Sequence, residues 1–466
     1  MRGGFLIGGS LIIAGLVLQI SIGPVEWGVF AWPVNGIVLA VFIAVIVIMF
    51  TLRRRVGVIN SIATQQAAIP ALAYAVVMTV IMGVMRQENL TPDPSPMGEG
   101  SLWINYMLNF WPFVLTYAYM AVILGMAVLK RVGMLQKHCS IQDIAFLLSH
   151  LGLFIVLFAA TLGSADMQRL KMTLMEGQPE CRALTQEKKV QRVPMSIELK
   201  RFVMAAYDDG MPKRYASELE IRTLSGQNML TTVEVNKPVE VEGWKIYQYG
   251  YDPQMGAKSR TSVLELVSDP WLPLVYAGIY MMMAGVLLLL TFTRWNYKRM
   301  LPTVALIVVA LCIVSYFMPI VRSTKLIPVL QSPWFTPHIL VYVVCYSLMG
   351  VAAVMAVVAL AFGKKTLHNQ IYTLVLVGLV FMTFGIMFGA FWAKEAWGDC
   401  WSWDPKETWA AITWLAYLVY IHYCRLPNHN PRLALWLVIG AFALLQMCWW
   451  GINYLPAAQG VSIHVY

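Results

Sequence analysis

The sequence predicts a polytopic α-helical membrane protein of about eleven transmembrane helices with one inserted, extracytoplasmic β-rich domain. Three observations carry that prediction. Of 466 residues, 59% are hydrophobic and only 12% charged, too apolar for a soluble chain of this size. Apolar runs of about 20 residues, the length that crosses a hydrocarbon core roughly 30 Å thick, recur along most of the chain. Charge alternates between successive connections, and one long segment, 164–270, breaks the apolar pattern.

The expected spans are 5–23, 34–52, 67–85, 103–129, 141–163, 271–293, 301–321, 337–362, 370–393, 407–424 and 432–451. The first is followed directly by another apolar run, so it reads as an anchor helix and not as a cleaved signal. Arg2 and alternate connections, including Arg53-Arg54-Arg55, Lys130-Arg131, Lys364-Lys365 and Arg425, hold 14 Lys/Arg against one acid, Asp143. The opposite short connections hold 5 Lys/Arg against 8 acids, and 164–270 balances at 15 each. The positive-inside rule then puts the N-terminus inside and both 164–270 and the C-terminus outside. The net charge of +10 is therefore a topology signal, and a nucleic-acid partner is not expected. Seven scattered cysteines form no CxxC or CxxCH, so neither a redox pair nor a covalent haem site is encoded.

Segment 164–270 alternates like strands at Met195–Leu199, Glu218–Ile221 and Thr231–Val235, with turn signals at Asp208-Asp209-Gly210 and Ser225-Gly226. A small β-sandwich-like domain is expected. It holds no histidine and no convergent acid cluster, which favours a scaffold or partner-binding module over a catalytic one.

The densest chemistry lies in 392–422, WAKEAWGDCWSWDPKETWAAITWLAYLVYIH. An interfacial aromatic belt explains one or two such residues per helix end. Trp397, Trp401, Trp403 and Trp409 instead crowd one loop with Lys394, Asp399, Asp404, Lys406 and Glu407, as a surface for a large flat acidic ligand would. Asp404, Pro405 and Glu407 also read as N-cap, first-turn proline and capping-box partner, so a helix is expected to start there. His422, 18 residues on, returns to the face of Asp404 about 27 Å further in.

Of the seven histidines, His138, His368 and His429 fall in basic inner loops. His150 and His422 fall within spans, where an interhelical hydrogen bond and metal ligation both remain open. His338 and His464 lie at outer ends flanking the tryptophan loop. Two histidine pairs at two depths suit an iron macrocycle, with π faces for Trp and acidic groups for Lys406 or Lys394. Zinc prefers four protein ligands that neither pair supplies.

The stretch Trp397-Gly398, Trp401-Ser402-Trp403-Asp404-Pro405-Lys406-Glu407, Trp409, Trp414, Tyr417, Tyr420, His422 resembles the WWD signature of the haem-handling CcsA-type proteins of cytochrome c maturation. Tyr207-Asp208-Asp209-Gly210, Val235-Asn236-Lys237-Pro238, Gly243-Trp244-Lys245 and Asp269-Pro270, preceded by His150-Leu151-Gly152, resemble the ResB family. The resemblance implies a fused ResB/CcsA organisation: N-terminal helices 1–163, ResB-like from about 140; a β-rich ResB-like domain 164–270; a last ResB-like helix 271–300; and a CcsA-like domain 301–466 with its WWD loop at 392–409. It implies a cytochrome c haem lyase that moves haem b across a bacterial inner membrane and attaches it to the CxxCH of an apocytochrome c on the periplasmic side. His338, in Ser332-Pro333-Trp334 context, and His464 would be the outer axial ligands and the catalytic pair, and His150 and His422 the inner ligands. Trp397, Trp401, Trp403, Asp404, Lys406, Glu407, Trp409 and Trp414 would bind the macrocycle. Thiol-reducing maturation proteins and membrane lipid are the other implied partners. A haem exporter or chaperone that presents haem without forming the thioether shares every one of these residues.

Overall fold

The computed structural model describes residues 1–88, 103–135, 139–292 and 325–458. The expected span 301–321, His138 and His464 lie outside the described residues. Within them run α1 (Arg2–Ile22), α2 (Val34–Leu52), the short α3 (Gly57–Ile62), α4 (Gln65–Val84), α5 (Trp111–Leu135) and α6 (Ile141–Gly163). After the sheet come α7 (Leu272–Phe292), α8 (Phe335–Phe362), α9 (His368–Trp397), α10 (Pro405–Cys424) and α11 (Pro431–Trp449). Nine candidate membrane spans occur among the described residues, so this is a multi-pass membrane protein. The fourth span, Trp103–Leu135, begins where its apolar pattern suggests but opens irregularly. Trp103–Asn109 is a 3-10 segment, and regular helix starts only at Trp111. The helix α10 is the least apolar of the long ones, carrying Lys406, Glu407 and His422, and it packs between α4 and α11.

The inserted domain is one antiparallel sheet of eight strands: β1 (Gln168–Met175), β2 (Pro179–Leu184), β3 (Val190–Ala206), β4 (Pro212–Thr223), β5 (Asn228–Glu234), β6 (Val239–Val241), β7 (Trp244–Tyr251) and β8 (Thr261–Ser268). Its order is β5-β4-β3-β2-β1-β8-β7-β6. The expected alternating runs fall in β3, β4 and β5, the last overrunning its strand by Val235, and Gly210 and Gly226 take positive φ in the turns between them. The two-layer character arises because this single sheet bends over itself. The Ser217 hydroxyl on β4 lies 2.6 Å from Gln248 Oε1 of β7 and 2.7 Å from Ser262 Oγ of β8, although these strands are distant in the sheet order. Leu170, Met172 and Leu174 of β1 share one buried core with Ile197 and Leu199 of β3 and Leu264 and Leu266 of β8, as the two-residue period of strands requires.

Two close packings position this domain. The helices before and after it, α6 and α7, meet glycine to glycine: a Cβ on Gly152 would lie 2.6 Å from the Gly278 carbonyl oxygen. Small residues let backbones approach this closely where the surroundings are lipid. The sheet therefore stands on a tightly paired stalk. Below it Asp166 accepts from the Trp32 amide, from Asn35 Nδ2 and from Trp271 Nε1, each at 2.7 Å. That one carboxylate ties the α1–α2 connection to both ends of the insertion. Burial acts to raise its pKa, and these three donors outweigh it, holding the carboxyl below the usual aspartate range.

Candidate functional site

The tryptophan loop is built outward from the N-terminus of α10. The Asp404 side chain accepts from the Lys406 amide at 3.0 Å, and the Glu407 carboxylate accepts from the Asp404 amide at 3.2 Å and the Ser402 amide at 2.8 Å. This is the capping box expected from Asp-Pro-Lys-Glu, and the helix starts at Pro405. The preceding residue, Trp403, sits at φ 58°, a conformation costly for a bulky side chain. Its ring is anchored edge-on by Phe113 at 5.9 Å and Tyr117 at 6.2 Å, and its carbonyl accepts from the Thr408 hydroxyl. The N-terminal helices thus hold the loop in a shape it would not adopt alone.

The other end of the loop is set by the sheet. Gly398 ends α9 in the left-handed conformation, φ 77°, where a Cβ would lie 2.9 Å from Val267 of β8. Lys394, expected to face an acidic ligand, is buried at 3% exposure. Its ammonium lies 3.0 Å from Asp269, and it donates to the Gly398 carbonyl at 3.0 Å. Arg169 of β1 donates to the Trp397 carbonyl and stands 3.4 Å from Asp399. Burial raises the Asp399 pKa against the pull of Arg169, and burial pushes the Cys400 thiol up to about 12.

The tryptophans do not form one platform. Trp409 is 3% exposed, and its Nε1 donates to the Gly83 carbonyl of α4 at 3.0 Å. Trp414 donates to Thr383 of α9 at 3.0 Å. Trp397 and Trp401 are half-buried: Trp401 stands perpendicular to Trp403 with centroids 5.9 Å apart, and Trp397 lies 5.4 Å from Trp392. Trp392 in turn lies 5.7 Å from the His338 imidazole.

His338 sits one turn into α8, in a groove that glycines clear on α9. A Cβ on Gly389 would lie 2.9 Å from the imidazole, and one on Gly385 would lie 2.8 Å from Tyr342. The imidazole Nδ1 lies 2.8 Å from the Gly385 carbonyl oxygen. A carbonyl only accepts, so Nδ1 carries the proton and Nε2 is the nitrogen with the lone pair a metal needs. The start of α8 is stitched to α9 by Glu395, which accepts from Trp334 Nε1 at 2.8 Å and Ser332 Oγ at 3.2 Å. The Ser-Pro-Trp motif therefore has a mechanical role in placing the histidine.

His150 of α6 and His422 of α10 lie near one another. Both place Nδ1 2.9 Å from the carbonyl four residues back, Phe146 and Leu418, and so present Nε2 in the same way as His338. Phe146 stacks on His150 at 3.8 Å, and the Arg131 guanidinium lies 4.4 Å above Phe146. The loop residue His429 makes a similar Nδ1 contact with Leu426, so the tautomer alone does not mark a ligand. What distinguishes the other three is their place inside the long helices α8, α6 and α10.

Three features of this site carry little or no sequence signal. The Gly385/Gly389 pair was legible only as an i, i+4 repeat. Arg169 and the docking of Trp403 and Trp409 on the N-terminal helices join segments more than two hundred residues apart.

Residues 271–458 match the cytochrome C assembly protein family, and residues 137–262 match the ResB-like family. The chain is a fused ResB/CcsA-type cytochrome c biogenesis protein. Its CcsA-like part is 34% identical over 160 residues to the cytochrome c biogenesis protein CcsA of Chlamydomonas reinhardtii, covering 31% of this chain and 44% of that protein. It is 28% identical over 223 residues to CcsA of Synechococcus sp. (strain RCC307), with 38% and 70% covered. For CcsA of Prochlorococcus marinus (strain MIT 9301) the figures are 27% over 234 residues, with 41% and 74% covered. The helix α7, read from sequence as the last ResB-like one, lies within the assembly-family match while packing on the ResB-like α6.

Proposed function

We propose that this protein is a cytochrome c synthase that takes haem b from the inner side of a bacterial cytoplasmic membrane and attaches it to the CxxCH of an apocytochrome c outside. The observation that carries the reading is His338: a half-buried imidazole with Nδ1 committed to a backbone carbonyl, facing Trp392 beside Trp397. His338 and His464 hold the iron of the substrate as axial ligands, and Trp397 and Trp401 bound its ring. Trp403, Asp404, Glu407, Trp409 and Trp414 keep the loop in shape, and Lys406 is the cation assigned to the propionates. His150 and His422 receive haem at the inner side.

The chemistry asked of the protein is orientation. Each client thiol adds across a vinyl C=C, sulfur bonding the carbon next to the ring and hydrogen the terminal carbon. The sum neither gains nor loses electrons. The client cysteines must arrive reduced, which assigns a thiol-reducing partner. The client histidine then replaces one axial ligand. Cys400, its thiol pushed up to about 12, is protonated at neutral pH and does not compete as a nucleophile. In this reading the N-terminus is cytoplasmic, and the sheet domain and C-terminus are periplasmic, embedded as a whole in membrane lipid.

The test is the absorption spectrum of the detergent-purified protein beside His338→Gly and His464→Gly, with and without imidazole. Bis-histidine haem that weakens in both variants and returns with imidazole is expected. A haem-free wild type from haem-replete cells overturns the reading. Co-expression with an apocytochrome in cells without other maturation genes separates synthase from exporter, because only the synthase leaves haem covalently on the client.

A further inference from the structure

Arg169 is the second residue of β1, and its guanidinium ends inside the tryptophan loop, 228 residues along the chain. Its side chain is 19% exposed. It donates to the Trp397 carbonyl, lies 3.4 Å from Asp399 Oδ2 and 3.3 Å from Glu265 of β8. The Trp397 carbonyl is among those that the end of α9 leaves without a helical partner. Asp399 follows Gly398, where the chain turns out of the helix, and its other oxygen, Oδ1, accepts from the Trp401 amide at 3.3 Å. One guanidinium therefore reaches two of the loop tryptophans: Trp397 through its own carbonyl, and the Trp401 amide through the two sides of a single carboxylate.

Few other side chains could do this. A guanidinium has donors fixed in a planar fork and can serve a carbonyl and two carboxylates at once, whereas a lysine ammonium is a point charge on a flexible stem. Without that cation Glu265 and Asp399 would face each other around the gap. A cavity of about 510 Å³ opens at the same place, with Arg169, Lys171 and Tyr249 of the sheet on one wall and Trp397, Asp399 and Ser402 of the loop on the other. The loop borders this cavity between Trp397 and Ser402, and the Arg169 contacts join it to the sheet there.

We propose that Arg169 is a positioning residue through which the extracytoplasmic sheet sets the ring planes of Trp397 and Trp401, and with them the orientation in which a flat macrocycle is held. This rests on the reading of the tryptophan loop as the outer haem site. It gives the sheet domain a part in the outer site that its own side-chain chemistry does not suggest.

The experiment uses the full-length chain in detergent as wild type, Arg169→Ala, Arg169→Lys, Asp399→Asn and Lys171→Ala, the last removing a neighbouring cation of the same cavity. Haem loss to excess apomyoglobin and the haem reduction potential are read beside monodispersity and thermal midpoint. Arg169→Ala is expected to lose haem about tenfold faster or more, the scale of a lost supporting contact at a metal site, with a displaced potential. Arg169→Lys should recover part of that loss, Asp399→Asn should move in the same direction, and Lys171→Ala should match wild type. Should Arg169→Ala fail to accumulate, Arg169→Lys and Asp399→Asn decide the matter. Wild-type haem retention and potential in folded Arg169 and Asp399 variants overturn the proposal and leave the haem site standing. A wild type that holds no haem removes the site itself.

Discussion

Lys394, near the C-terminal end of α9, and Asp269, at the end of the sheet domain, form an ion pair of 3.0 Å in which the lysine side chain is only 3% exposed. The pair ties the end of the sheet domain to the helix that leads into the tryptophan loop. A second ion pair, Arg169 with Asp399, joins the sheet to that loop.

Breaking a buried ion pair from one side leaves the other charge without compensation, at a cost of about 3–5 kcal/mol. Lys394→Met is therefore expected to lower the thermal midpoint of the purified protein markedly. Lys394→Met combined with Asp269→Leu should recover most of that loss, because no isolated charge remains. A double variant as unstable as the single one would show that the two residues are not coupled.

The tryptophans should divide into two classes. Trp409→Phe removes the indole N–H given to Gly83 together with part of a buried ring, and the unpaired carbonyl alone costs about 1–3 kcal/mol. Its haem spectrum should match wild type while its melting temperature falls. Trp401→Ala, at the half-buried ring, should alter the haem spectrum with a smaller change in melting. The reverse assignment, found by spectra and melts of the same preparations, would remove the distinction between supporting and ligand-facing rings.

Adding one methyl group at the α6–α7 seam should separate the stalk of the sheet domain. At Gly152 a Cβ meets backbone, the Gly278 carbonyl and the Met282 amide, which cannot rotate away. Gly152→Ala is expected to cost about 1–3 kcal/mol through overpacking. Gly133→Ala, where a Cβ meets nothing within 4 Å, should leave the melting temperature within error.

The Cys400 thiol provides a pH prediction. Burial holds it near 12, so its thiolate fraction grows about tenfold per pH unit throughout the range from 7 to 10. An ordinary thiol, near 8.5, levels off within that range. Alkylation of the Cys400 peptide followed by mass spectrometry should give a rate still climbing at pH 10, slower than a free small-molecule thiol at every pH tested. A plateau below pH 9 would show an exposed, reactive loop cysteine.

Local chemistry made much of this protein legible from sequence. Membrane spans follow from hydropathy over about 20 residues, and the strands of the inserted domain from alternation between glycine turns. The capping box at Asp404 and Glu407 needs only residues three apart. Each depends on interactions within a few residues, so each is written directly in the order of amino acids. Even there an irregular start escaped: apolar composition does not distinguish the 3-10 turn at Trp103–Asn109 from the helix at Trp111.

By itself, the sequence determined that the chain is a multi-pass membrane protein with an inserted β domain, a tryptophan-rich loop and histidines at two depths. Tertiary structure alone decided what each tryptophan packs against. Trp409 meets Gly83, and Trp403 meets Phe113 and Tyr117, through contacts between helices far apart in sequence. It also decided that Lys394 is committed to Asp269 and that Arg169 reaches the loop from the sheet. The physical reason is that an indole or an ammonium has no preference visible in its neighbours along the chain. Its partner is chosen by packing, when α4, α5 and the sheet close around the loop.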